Sequence, residues 1–250
     1  MASLTTIRKL TARLASRARW ERARLSDQPA AARIDSLLQS DLTYLDRDAL
    51  LDLHDAVARI ETEKVPGILV EAGTARGGSA LVIAAAKART RPLYLYDTFG
   101  LIPPPSERDG ADVQKRYEVI AAGQATGPGG SRYYGYEEDL LSEIQELFQE
   151  HGHPAEESGI HFVQGLYEDT LHPTEPVALA HIDSDWYESV STCLERIAPQ
   201  LVVGGRLVID DYGTWSGARD AVDDYFSDRR AEFAFESRAR LHVVRTAAAG

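Results

Sequence analysis

Val177-Ala-Leu-Ala-His-Ile-Asp-Ser-Asp185 and Gly205-Arg-Leu-Val-Ile-Asp-Asp211 decide how this chain is read: two short apolar runs, each ending in a pair of aspartates. Runs of this kind suit strands buried on both faces, and the stretch between them has the length and pattern of one crossover helix joining two parallel strands. Ligands of open α/β sheets sit beyond the carboxyl ends of the strands. Asp183, Asp185, Asp210 and Asp211 therefore converge on one edge of the sheet. Four carboxylates there repel one another unless a proton or cation holds them, and a hard divalent metal is the simplest counter-charge. The plainer reading makes the same aspartates turn residues and helix caps, with Asp185 capping the following helix. Capping does not account for Asp210 and Asp211 standing together.

Working outward, Ile68-Leu-Val-Glu-Ala-Gly-Thr-Ala-Arg-Gly-Gly-Ser79 reads as a strand, a glycine turn and a helix start. Such a turn brings backbone close to a ligand and offers free N–H groups. The dinucleotide fingerprint fails at Ala75, and the phosphate-loop pattern fails because Gly-Gly-Ser replaces Gly-Lys-Ser. Glu71 favours a cationic or hydroxyl-rich ligand over phosphate. The next strand ends at Asp97, 24 residues after Gly73, the place from which a carboxylate meets the ribose hydroxyls of a nucleoside cofactor.

These blocks resemble the macrocin O-methyltransferase family. The resemblance rests on Glu71-Ala-Gly-Thr-Ala-Arg-Gly-Gly-Ser, Tyr96-Asp-Thr-Phe-Gly, Gln164-Gly-Leu-Tyr-Glu-Asp-Thr-Leu, Ile182-Asp-Ser-Asp-Trp-Tyr-Glu-Ser and Gly204-Gly-Arg-Leu-Val-Ile-Asp-Asp-Tyr, and covers roughly residues 50–245. It implies a Rossmann-like class I methyltransferase that uses S-adenosylmethionine and magnesium, or manganese, to methylate a hydroxyl, often on the sugar of a natural product. It also implies metal ligands at Asp183, Asp210 and Asp211 and a general base at Asp185. The cofactor is expected at Glu71, Gly73, Thr74, Ser79 and Asp97, with Gly165 and Tyr167 after the third strand. The chain departs from the family pattern at Ala75, His181, Ser184 and the terminal Leu241-His-Val-Val-Arg, so the acceptor is open. A catechol-like phenol is the close alternative. A nucleotide-sugar glycosyltransferase using Asp183-Ser-Asp185 as its metal motif is a more distant one.

The whole is read as α/β: a doubly wound, mostly parallel seven-stranded sheet with an N-terminal helical extension. Strands are expected near 67–72, 92–97, 160–164, 177–183, 205–210, 232–236 and 240–245, and helices over 33–39 and 48–63. Residues 1–64 form a helical arm and cap and residues 65–250 the methyltransferase domain. Residues 98–136, with Pro103-Pro-Pro, Gly127-Pro-Gly-Gly and Tyr133, Tyr134 and Tyr136, form a long insertion that suits a lid.

A net charge of −12 argues against nucleic acid as the main partner. The charge is uneven. Residues 1–24 carry seven Lys/Arg against Glu21 alone, leaving −18 on the rest. Leu4, Ile7, Leu10 and Leu14 lie at helical spacing in this basic arm, which is expected to dock on the acidic body or on a sister subunit of a homo-oligomer, with a hinge at Asp27-Gln-Pro. No run suggests a membrane span or signal peptide, and Cys193 alone gives no disulfide framework, so a cytoplasmic location is expected. His151-x-His153 lies in a Gly/Pro turn and reads as solvated rather than as a zinc site. His181 shares a strand face with Asp183 and is placed to orient a carboxylate or the cofactor, or equally to sit as a satisfied core histidine.

Overall fold

The computed structural model describes residues 4–247, with side chains from Leu14 onward. Three helices lead: α1 (Leu4–Ser26), α2 (Gln28–Gln39) and α3 (Arg47–Thr62). The strands are β1 (Ile68–Ala72), β2 (Leu93–Asp97), β3 (Ile160–Gln164), β4 (Val177–Ile182), β5 (Leu201–Ile209), β6 (Phe233–Ser237) and β7 (Leu241–Arg245). Between them run α4 (Gly78–Ala86), α5 (Ala111–Ala121), α6 (Leu140–Glu150), α7 (Ala155–Ser158), α8 (Tyr167–Thr170), α9 (Tyr187–Ile197) and α10 (Ser216–Tyr225). The strands form one sheet in the order β3-β2-β1-β4-β5-β7-β6, parallel except for β7, which runs antiparallel to both of its neighbours. The order reverses direction at β1 and β4, and the expected acidic edge lies at that switch point.

Alternation along the strands sends side chains into two cores. Leu69, Leu93, Leu95 and Val208 pack with α2, α3, α4 and α6, whereas Val70, Ala72, Ile182, Leu207 and Ile209 pack with α9 and α10. Both faces of the central strands are covered, so the apolar runs are continuous rather than alternating.

Three boundaries differ from the sequence reading. β5 starts at Leu201, four residues before the expected 205, and its pairing with β4 shifts register between Val177 and Leu179. Gly204, at φ +82°, and Gly205, where a Cβ would lie 3.0 Å from the Ala178 carbonyl oxygen, absorb that irregularity and conceal the strand's first half. α2 begins at Gln28 because Asp27 accepts a hydrogen bond from the Ala30 N–H and proline occupies the first turn. Asp27 is thus a helix cap between two nearly contiguous helices. Asp185 is not one: Trp186 precedes α9 and no side chain caps it.

The C-terminal half of α1 is fixed to the body. Arg19 reaches Asp52 at 3.1 Å and Asp55 at 2.7 Å on α3, and Trp20 is buried in the first core beneath Arg47. Asp52 also meets Arg238 at 2.7 Å and His242 at 3.1 Å, so one buried carboxylate joins α1 and α3 to β7 and the turn before it. Of the expected apolar stripe, Leu4, Ile7 and Leu10 lie outside the described side chains, and Leu14 is exposed. No helix among the described residues is long and apolar enough to cross a membrane.

Candidate active site

Gly73 turns the chain out of β1 at φ +95°, and a Cβ there would lie 1.8 Å from the carbonyl oxygen of Asp183. Only glycine lets the turn cross so close to the end of β4. The close approach that the sequence reading gave to a ligand is thus made first to neighbouring backbone. Asp97, at the end of β2, accepts hydrogen bonds from the N–H groups of Thr74 (2.7 Å), Ala75 (3.1 Å) and Phe99 (2.7 Å), locking the turn to the strand. Burial pushes its pKa up, and these backbone donors only partly offset that.

Two clefts open at this edge. The narrower, of about 470 Å³, is lined by Gly73, Asp97, Gly165 and Tyr167 of the expected cofactor set, and by Thr98, Leu166, Glu168 and Ser189. The wider, of about 890 Å³, has walls from Tyr44, Arg116, Tyr133, Trp186, Trp215 and Arg240. They share Gly73, Asp97, Tyr134, Asp183 and Asp185. Glu71, Thr74 and Ser79 line neither cleft. Strand alternation turns Glu71 inward beside Leu69, where its Oε1 pairs with His181 Nδ1 at 2.9 Å. Ser79 and the Thr74 hydroxyl are buried behind the turn.

The four aspartates divide into two environments. Asp183, Asp185 and Asp211 bring one carboxylate oxygen each within 4.8 Å of the others. Burial first, and then the neighbouring aspartates, raise the pKa of Asp183 and Asp211 well above the ordinary range. Asp185 is pushed up to about 6 by burial and Asp210, with the hydrogen bond from Trp215 Nε1 to its Oδ1 (2.8 Å) and the charge of Arg116 opposing. Its backbone is left-handed at φ +57°, and its N–H donates to Asp211 Oδ2 at 3.2 Å. Asp210 lies in the same cleft but is turned to cations: Arg240 Nε donates to its Oδ1 at 2.7 Å, and His181 Nε2 stands 3.9 Å away. Although burial opposes it, these cations hold Asp210 below the usual carboxylate range. His181 is raised to about 9: burial lowers it, and Asp210 and Glu71 outweigh that. An all-oxygen cluster whose members resist joint ionisation fits a hard divalent cation.

The insertion after β2 is packed against this site. Trp186 Nε1 donates to the Pro103 carbonyl at 3.0 Å, Tyr187 N–H to Asp109 at 2.8 Å, and Ser216 N–H to Asp112 at 2.9 Å. Tyr133 and Tyr134 line the wider cleft, while the Tyr136 hydroxyl donates inward to the Ile120 carbonyl at 2.6 Å. Sequence reasoning missed Arg116, Trp186, Trp215 and Arg240 as cleft residues. Trp186 beside Asp185, and Trp215 four residues after Asp211, were the available signal.

The family profile described as macrocin O-methyltransferase (TylF) matches residues 4–236. The chain belongs to the macrocin O-methyltransferase family. Among family relatives, demethyldecarbamoylnovobiocin O-methyltransferase of Streptomyces niveus is 31% identical over 74% of this chain and 66% of its own length. The 8-demethyl-8-(2,3-dimethoxy-alpha-L-rhamnosyl)-tetracenomycin-C 4'-O-methyltransferase of Streptomyces olivaceus is 30% identical over 70% of this chain and 63% of its own. The chain thus spans about two thirds of the length of these relatives. The solved structure of the O-methyltransferase NovP superposes with a TM-score of 0.67 at 26% identity, covering 82% of this chain and 83% of that one. The fold is that of a class I methyltransferase.

Proposed function

We propose that this chain transfers a methyl group from S-adenosylmethionine to a hydroxyl of a sugar or glycosylated natural product, with magnesium or manganese at the acidic edge. The observation that carries this reading is the junction of the two clefts at Gly73, Asp97, Tyr134, Asp183 and Asp185. Donor and acceptor in separate clefts would meet only there, beside the carboxylates. The name of the Streptomyces olivaceus relative, an O-methyltransferase of a rhamnosyl compound, supports the acceptor class.

S-adenosylmethionine, when bound, supplies an electrophilic methyl on sulfur, and a divalent cation supplies charge that acidifies a neighbouring hydroxyl. Asp183 and Asp211 would form the core of the metal site and Asp210 would add the third carboxylate; Asp185 takes the acceptor's proton as the methyl's bond to sulfur breaks, its bond to the acceptor oxygen forms, and S-adenosylhomocysteine leaves. Asp185 suits this because it lines both clefts and its carboxylate is fixed through Oδ1 by the Trp215 indole N–H. A base with a pKa near 6 is ionised at neutral pH yet retains proton affinity. Trp186, Trp215 and Tyr133 shield the reacting oxygen from water. Gly73, Asp97, Gly165 and Tyr167 contact the cofactor, with Glu71, Thr74 and Ser79 supporting from behind.

A second arrangement is favoured by the 4.8 Å grouping: Asp185 as third metal ligand, with Asp210 serving only Arg240 and His181. Manganese titration of Asp185→Asn and Asp210→Asn separates the two, since the true ligand's variant loses affinity. The aromatic walls also suit a phenolic acceptor. The test of function is an acceptor library with labelled methyl donor and magnesium, read by product mass. Gain of one methyl on a glycosidic hydroxyl is the expected result. A chain that binds S-adenosylhomocysteine yet methylates only phenols, or nothing, refutes the glycosidic reading.

A further inference from the structure

Two arginines face the wider cleft, and they differ in commitment. Arg240 is engaged by Asp210 at 2.7 Å and by Asp46 at 3.6 Å. Arg116 projects from α5 toward the cleft, and among the described residues no carboxylate lies within 4.0 Å of its guanidinium. Its recorded neighbour is an aromatic face, the Tyr133 ring, whose centroid is 5.7 Å away. That contact holds the cation without using its N–H donors. The arginine also stands on a fixed element, because Asp112 at the start of α5 is bound by Ser216, and the residues just before it by α9.

We propose that Arg116 forms an anion subsite: the acceptor carries an oxyanion, carboxylate or phosphate, on the part remote from the hydroxyl that is methylated. This rests on the methyl-transfer reading of the same cleft. Arg116 is half-buried, with its guanidinium beside the Tyr133 ring, and its planar fork matches two oxygens of a carboxylate or phosphate. Arg240, the other cation on these walls, is already paired with Asp210. Asp183, Asp185, Asp210 and Asp211 occupy the reacting end, so electrostatics orients such a ligand with its hydroxyl toward the acids and its charge toward Arg116. The competing role for Arg116 is to offset Asp185, whose pKa it lowers from beyond ion-pair distance.

The test uses benzoate, phenyl phosphate and benzyl alcohol as probes of the full chain loaded with S-adenosylhomocysteine and magnesium, with affinities from ligand-observed NMR. At least one of the two anions should bind about tenfold tighter than the alcohol, the scale of one charge-assisted fork, and the stronger of them names the group. Arg116→Gln should abolish the preference and Arg116→Lys should retain part of it, with S-adenosylhomocysteine affinity reporting an intact fold. Equal affinities in the wild type, or a preference that survives Arg116→Gln, overturn the subsite. Methyl transfer to phenyl and 4-carboxyphenyl α-L-rhamnoside is measured alongside. No transfer to either, with the anion preference intact, counts against the acceptor class and supports the subsite. Equal transfer to both, with no preference among the probes, removes the subsite alone.

Discussion

Trp215→Phe isolates one hydrogen bond at the proposed base. The indole Nε1 donates to Asp185 Oδ1 at 2.8 Å, and the ring packs edge-on against Trp186 with centroids 5.9 Å apart. Phenylalanine keeps an aromatic edge there and removes the donor. A hydrogen bond to a charged group is worth about 1.5–3 kcal/mol, and water entering the cleft returns part of it, so a loss of about 1.4 kcal/mol, one pKa unit, is the reasonable size. The sign follows from the carboxylate: the bond favours the ionised form, so its removal raises a pKa already pushed up to about 6. Activity needs the ionised base, and the acid limb of kcat/KM should therefore move up by about one unit. The loss grows to about tenfold well below the limb and nearly vanishes near pH 8. A bound cation shifts both variants together, so the difference between them is the quantity to measure. The assay is kcat/KM with labelled methyl donor from pH 5 to 9 at saturating magnesium. A uniform loss at every pH would mean that Trp215 acts by packing against the acceptor; an unmoved limb with full activity would remove Asp185 as the titrating base.

Other perturbations test the frame around the site. Gly73→Ala places a Cβ 1.8 Å from the Asp183 carbonyl at a φ of +95°, and is expected to give a chain that neither binds S-adenosylhomocysteine nor melts cooperatively; wild-type calorimetry would contradict the close crossing. Asp52 has a pKa lowered to about 2, because, although burial opposes it, the His242 imidazole at 3.1 Å and the charges of Arg238 and Arg19 outweigh it. Its contribution of about 2 kcal/mol is full above the unfolded pKa near 3.8 and is lost as pH falls through 2, so denaturant melts of Asp52→Asn should show a deficit at pH 7 that narrows toward pH 3. Deleting residues 1–24 removes Trp20 and the Arg19 pairs with Asp52 and Asp55, and should lower the melting temperature by several degrees with kcat preserved. Light scattering on the same variant tests the proposed homo-oligomer, which an unchanged mass would disfavour.

The parts of this fold legible in the sequence are those where local pattern and global topology agree. Val177–Ile182 and Ile68–Ala72 are buried on both faces, and a strand with no solvent side has no choice but continuous apolar residues. β5 was only half legible because Gly204 and Gly205 break its apolar run at the register shift with β4, which no single-strand pattern can register. The site follows the same division. Asp183, Asp185, Asp210 and Asp211 stood out because each pair ends its strand. Arg116 and Arg240 did not, since they come from α5 and the turn before β7 and reach the cleft only through tertiary packing.

Glu71 shows most directly where spacing misleads. Its position just before the glycine turn points toward a cofactor, yet alternation from Leu69 obliges it to face the core, where His181 is its register partner on β4. Glu71, His181, Asp210 and Arg240 then form an alternating line of charge behind the cluster of Asp183, Asp185 and Asp211. Each carboxylate in that line has a cation beside it, whereas the cluster in front has too few. The positive end supplied by His181 and Arg240 holds Asp210 ionised without a metal, while Asp183 and Asp211 are pushed toward protonation. Removing His181 as His181→Ala would therefore act on Asp210 through charge rather than contact with any ligand. A buried negative pair would be left without its imidazole, so denaturant melts should show lower stability while manganese affinity holds or rises, the lost positive charge no longer opposing the cation; a fall in affinity would mean that His181 positions Asp210 rather than charging it.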